Sequence, residues 1–142
     1  MKKLVTLLLA ALLLLANAVP AYAAVPETAV PFYANTSQAS VSFVIQENGH
    51  ATWSIYCIGK TSCTGIDAVT YLERQVGNDW VRVDLENADD EYTYSTTVRR
   101  MAKTYEATLS ISGTYRAVVE FTVYGTNEDE TITLWNEHDY GV

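Results

Sequence analysis

From residue 40 onward the chain alternates. Val41, Phe43 and Ile45 stand between Ser40, Ser42, Val44 and Gln46. After Asn48-Gly49 the same period resumes, with Ala51, Trp53, Ile55 and Cys57 set against His50, Thr52, Ser54 and Tyr56. A period of two sends successive side chains to opposite faces of a strand, and Asn-Gly is a strong signal for a tight hairpin. Further strands are predicted over 66–75, 80–85, 92–98, 105–111, 115–124 and 131–135. Between them lie turns at Gly77-Asn78-Asp79, over 86–91, over 99–103, at Gly113 and over 125–129. No window beyond the N-terminal apolar run carries a 3.6-residue period. Seven or eight short strands with a turn signal between each pair predict an all-β, antiparallel β-sandwich. By alternation Trp53, Tyr105, Tyr115 and Phe121 belong to its core.

The N-terminal stretch follows a different pattern. Lys2 and Lys3 precede an apolar run over 4–18, and Ala21-Tyr22-Ala23 supplies the small residues a signal peptidase needs. Residues 1–23 are read as a cleaved signal peptide, with a cut after Ala18 as the alternative. Residues 24–39, which hold Pro26 and Pro31, are read as an extended leader, and 40–142 as the domain. The mature protein is therefore expected to be secreted to the extracellular space. No later apolar stretch approaches the roughly 18–20 residues of a membrane-spanning helix, so no membrane span is expected after signal removal.

Charge narrows the partners. The chain carries 17 Asp and Glu against nine Lys and Arg, a net charge of −8, and loss of Lys2 and Lys3 makes it more acidic still. Such a surface repels phosphate backbones, so nucleic acid is not expected as a partner. Arg99, Arg100 and Lys103 form one basic spot, too small for a nucleic-acid footprint. Export also places Cys57 and Cys63 in an oxidising compartment. The five residues between them include Gly59, and a structural disulfide is expected, contributing about 2 kcal/mol by loop entropy. Two free thiols are the alternative. The pair lacks the ligands of a zinc site and the spacing of a redox C-x-x-C.

Ser112-Gly113-Thr114-Tyr115-Arg116-Ala117 resembles the G-x-Y that opens strand F of immunoglobulin-like domains. The resemblance implies a tyrosine corner at Tyr115, its hydroxyl bonded to upstream backbone. Ala117 stands where the antibody pattern has Cys, so no inter-sheet disulfide of that kind is implied. The segments LERQVGNDW (72–80), GTYRAVVEFTVY (113–124) and ETIT (130–133) also resemble a group of small secreted bacterial proteins. Those have an immunoglobulin-like sandwich and no assigned activity. The likeness spans most of the mature chain, and its motifs are structural, so it carries over no functional residue.

Little in the chain points to catalysis. His50 follows a turn and His138 lies near the C-terminus, with no nucleophile motif beside either. Glycoside hydrolysis needs two carboxylates facing across a cleft, and the sequence selects no such pair. Acidic clusters over 87–91 and 127–130 lack the D-x-[DN]-x-[DN]-G spacing. They read as solvated loops, with a calcium site as the alternative, and no cofactor or metal is expected. The aromatic residues stand out more: ten Tyr, three Trp and three Phe. Tyr56, Tyr124 and Trp135 point away from the core and are the candidate binding residues, since exposed rings serve both glycan stacking and protein contact. The expected function is a non-catalytic interaction domain that recognises an extracellular protein or a cell-envelope component. The alternatives are a small carbohydrate-binding module, for which a glycan is the partner, and an extracellular hydrolase or inhibitor.

Overall fold

The computed structural model describes residues 33–87 and 89–141. The expected signal peptide and all but the last residues of the leader lie outside that range. Among the described residues eight strands run in chain order: β1 (Thr36–Ile45), β2 (His50–Gly59), β3 (Cys63–Val76), β4 (Asp79–Arg82), β5 (Tyr92–Thr96), β6 (Arg100–Thr108), β7 (Gly113–Gly125) and β8 (Glu130–Tyr140). They form two antiparallel sheets. One has the order β1-β2-β6; the other has the order β4-β3-β7-β8, with β5 pairing β3 beside β4. The edge of β3 is thus shared: residues 73–76 pair with β4 and residues 66–70 with β5.

The inward faces of both sheets meet in one core, giving a sandwich-like all-β arrangement. Phe43, Trp53, Ile55 and Met101 come from the first sheet, and Ile66, Leu72, Val119, Phe121 and Ile132 from the second. Trp53 is completely buried, and its indole N–H donates to Thr70 Oγ1 in the facing sheet at 3.0 Å. That hydroxyl in turn donates to the Val118 carbonyl at 2.6 Å. A buried hydroxyl with no partner would cost roughly 1–3 kcal/mol, and here both of its functions are used. Beside it the rings of Trp53, Tyr105 and Tyr92 stack at centroid separations of 5.7 and 4.8 Å.

The alternation places Trp53, Tyr115 and Phe121 in the core and Tyr105 partly buried against it, and Tyr115 Oη donates to the Ile111 carbonyl, four residues upstream, at 2.5 Å. Four expectations change. The first strand begins at Thr36, before the expected boundary at Ser40. Residues 100–103, expected to turn the chain, belong to β6; of its inward positions there only Met101 is apolar, and Lys103 and the charged residues around it mask the period. The last strand continues through Tyr140, since its inward positions past Leu134 are Asn136, His138 and Tyr140 and do not look apolar.

The fourth correction is the disulfide. Both cysteines are free and buried. Cys57 sits mid-strand in the first sheet, opposite Ala39 and Met101, whereas Cys63 opens β3 in the second and donates from Sγ to the Gly65 carbonyl at 3.4 Å. Burial pushes the Cys57 thiol up to about 12, with Cys63 and Glu130 adding to the rise.

Candidate functional site

Each sheet presents one outward face, and the two differ in chemistry. On the three-stranded sheet the cross-strand rows are Ser42–Ser54–Thr104, Val44–Thr52–Glu106 and Ser40–Tyr56–Ala102. Ser54 and Thr104 share a hydrogen bond of 2.8 Å, and Tyr56 has the Arg100 guanidinium 5.6 Å from its ring. The face is small, polar and sparsely connected.

The five-stranded sheet carries large side chains in register. One row runs Glu137–Arg116–Glu73–Arg82 over β8, β7, β3 and β4, so charge alternates in sign across four strands. Directly opposed residues are close enough to interact, and opposite charges there are favourable. Arg116 Nε reaches Glu73 Oε2 at 2.7 Å with both groups largely covered, and Arg82 Nη1 reaches Glu91 Oε2 at 2.8 Å. The next row is Trp135–Val118–Tyr71. Val118 and Tyr71 are buried although they face outward, while Trp135 remains 56 % exposed.

Guanidinium groups tie the rows together. Arg116 lies 4.3 Å from the Trp80 ring centroid and 5.8 Å from that of Trp135, and Arg82 lies 3.5 Å over Tyr71. A guanidinium over an indole or phenol face is attracted by the ring's negative face. Tyr71 Oη donates to Glu120 at 3.0 Å. Burial first, and then that carboxylate, raises the Tyr71 phenol above its ordinary value.

Of the three candidate residues, two share this face and one does not. Tyr56 belongs to the opposite sheet. Tyr124 lies on the same face as Trp135 but six positions further along β7 than Val118, the cross-strand partner of Trp135, or about 20 Å at the usual rise. Its hydroxyl donates to Asp67 at 2.7 Å, and that bond, more than burial, raises its phenol above the ordinary value. Arg116 is the residue that reaches Trp135, and through Arg116 the cluster extends to Glu73 and Trp80, with Tyr71 and Arg82 in the neighbouring positions of β3 and β4. Their signal was present as alternation, with Trp80 and Arg82 outward on β4 and Arg116 outward on β7. What the sequence lacked was any indication that β4, β3, β7 and β8 lie side by side.

The acidic clusters serve the backbone. Glu130 accepts from Ala34 N at 2.6 Å, Asn35 N at 3.2 Å and Thr36 Oγ1 at 2.7 Å. Asn35 donates to the Glu128 carbonyl and accepts from Ser62 Oγ, so residues 33–36 are fastened to the β7–β8 turn. Asp129 accepts from Gly125 N. In the other loop Asp90 accepts from Leu85 N, and Asn87 from Asp89 N and Glu91 N. Among the described residues no group of three or more His, Cys, Asp or Glu is arranged to hold a metal ion, and no helix is long and apolar enough to cross a membrane. His50 lies 3.9 Å from Glu106 on the open sheet, and His138 packs edge-on against Phe43 at 6.3 Å. Neither stands beside a nucleophile. No family model, curated protein or solved structure matches this chain.

Proposed function

We propose that this chain is a secreted, non-catalytic binding domain on an immunoglobulin-like frame, and that it meets an extracellular protein or cell-envelope component through the outer face of its five-stranded sheet. The observation that carries this reading is the exposed Trp135 indole beside an Arg116 guanidinium already oriented by Glu73 and Trp80. Rings held in place before contact lose little side-chain entropy on binding, and Trp, Tyr and Arg are the residues that dominate interface energies. The acidic net charge argues against anionic polymers as the target.

One arrangement favours a carbohydrate-binding module as the second reading. Two indoles flank one guanidinium, with Glu73 hydrogen-bonded to it. Sugars are held by ring faces together with such in-plane donors and acceptors. In this version Trp135 and Trp80 form the platform and Tyr56 takes no part.

The test is co-sedimentation with isolated cell walls and insoluble polysaccharides at two salt concentrations, with and without calcium, alongside pull-down from culture supernatant. Retention by a polymer or a discrete protein, lost in Trp135→Ala and kept in Tyr56→Ala, supports the proposal. Retention that Trp135→Ala leaves intact sinks it. Retention by polysaccharide alone selects the second reading.

A further inference from the structure

A second site lies at one end of the sandwich and shares Arg82 with the aromatic face. There the β3–β4 hairpin and the turn after β6 stand apart and leave a cleft of about 270 Å³ between them. Its walls are mixed, with apolar side chains standing among Arg82, Asp84, Thr108 and Ser110. Val81 and Val83 come from the hairpin side, and Leu109 and Ile111 from the turn. Val81 and Ile111 are 49 % and 54 % exposed, two of the few large apolar side chains that reach solvent. Tyr115 lies at its base, with its hydroxyl proton committed to the Ile111 carbonyl.

Arg74 supplies the polar anchor. It pairs in register with Tyr115 on one side and Val81 on the other. That is the inward parity of β3, so its guanidinium lies at the mouth of the space between the sheets and lines the cleft. Its cation acts on the Tyr115 phenol, opposing the rise that burial imposes there. Among the described residues no carboxylate pairs with it, as none pairs with Arg99 or Arg100, whereas Arg82 and Arg116 each have one. What sets Arg74 apart is that its guanidinium lines a cleft beside apolar side chains, which gives the two elements of a carboxylate pocket. One is a fork of donors matched to two oxygens; the other is a half-open, partly apolar slot for what the carboxylate is attached to. The single carboxylate on the lining, Asp84, accepts the Glu86 N–H at 2.8 Å, and it disfavours a second negative charge on the ligand.

We propose that this cleft binds a monocarboxylate bearing a short apolar tail, with the carboxylate on Arg74 and the tail between Val81 and Ile111. The same chemistry is offered by a free branched or aromatic acid and by the C-terminal residue of a peptide. The cleft is smaller than a typical drug-sized pocket of roughly 300–1,000 Å³, so one residue-sized group fills it.

The test is a titration of the purified, isotope-labelled chain followed by amide and methyl NMR. The probes are N-acetyl-leucine, its amide, isovalerate, succinate, and a short peptide ending in leucine with a free or an amidated terminus. Saturable shifts confined to Val81, Val83, Leu109, Ile111 and Tyr115 are expected with the monocarboxylates. The amides and succinate are expected to give much weaker effects. Arg74→Gln should weaken binding by about tenfold or more, the value of a charged two-point hydrogen bond, with Arg74→Lys in between. Arg74 has no partner to lose, so these variants keep their thermal midpoint, and Val81→Asp gives an independent loss. Tighter binding of the free-terminus peptide than of isovalerate identifies a chain terminus as the ligand; the reverse identifies a small acid. Equal binding of acid and amide, or no shift at these residues with any carboxylate, overturns the proposal. None of these outcomes depends on Trp135.

Discussion

Several cross-strand neighbours on the five-stranded sheet's outer face are long, charged or aromatic, and Arg116 and Arg82 join them through ion pairs and ring contacts. Those on the three-stranded sheet are mostly one hydroxyl long. Glu137–Arg116–Glu73–Arg82 can be set against Ser42–Ser54–Thr104. Both faces obey the same two-residue period and both look polar in the sequence. What separates them is reach. A guanidinium can pair with a carboxylate on the adjacent strand and still lie against an indole, so the side chains of one face cover Val118 and Tyr71, which would otherwise be open. A short hydroxyl side chain reaches only its immediate neighbours and covers little of the sheet beneath it. The first face is therefore an ordered second layer on the sheet, whereas the second is a solvated surface. Exposed ion pairs contribute little in general, but those held at both ends and partly covered contribute more.

The largest effect expected from that difference is at Arg116. Arg116→Ala removes the Glu73 pair and the contact with both indoles, and it leaves Glu73 and Glu137 in one row, on either side of β7, with no cation between them. A loss of about 2 kcal/mol in unfolding free energy is expected, the value of a charged hydrogen bond left half made, and urea denaturation would read it. A change within measurement error would mean that the layer is only an arrangement of surface side chains.

Tyr71 sharpens the same point at a smaller scale. Tyr71→Phe keeps the ring under Arg82 and removes only the bond to Glu120, so about 1 kcal/mol is expected at neutral pH. The pH dependence has a definite sign. The folded phenol is raised above its ordinary 10.0, so the folded chain holds this proton more tightly than the unfolded one. The stabilisation is complete below about pH 10 and is lost as pH rises through the folded value. Stability measured from pH 9 upward should therefore fall less steeply in Tyr71→Phe than in the parent. Parallel curves would remove Tyr71 as a contributor.

Sequence patterning revealed which face of a strand each residue occupies, and it did so well. Phe43, Trp53, Ile55, Tyr115 and Phe121 are all buried as the alternation requires. It failed where polar residues occupy inward positions at a rim. Lys103 faces inward on β6 with its ammonium 3.8 Å over Tyr94, and His138 faces inward on β8 against Phe43; both conceal the period. It also could not assign a strand to a sheet. Tyr56, Tyr124 and Trp135 are equally outward by alternation, yet β2 lies in one sheet while β7 and β8 lie in the other, because sheet partnership depends on long-range pairing that no local residue encodes. The cysteines illustrate the same gap. Five intervening residues suffice for a bridge in principle, but spacing along the chain does not set how two thiols face each other, and both Cys57 and Cys63 are free and buried.

The smallest expected effect tests the open face. Ser54 and Thr104 are opposite each other in β2 and β6 and share the 2.8 Å bond at the surface. Replacing both by alanine removes one exposed hydrogen bond whose groups water can satisfy at once, so the stability change should stay within about 0.5 kcal/mol. Binding by the other face should be unchanged as well, since no row connects the two surfaces except through the core. A loss well above that value would show that this sheet too carries a cooperative outer layer. The contrast would then rest on side-chain length alone and not on connectivity. An unchanged protein, measured beside Arg116→Ala, would mean that the two surfaces differ in what they contribute to the fold as well as in the chemistry they present.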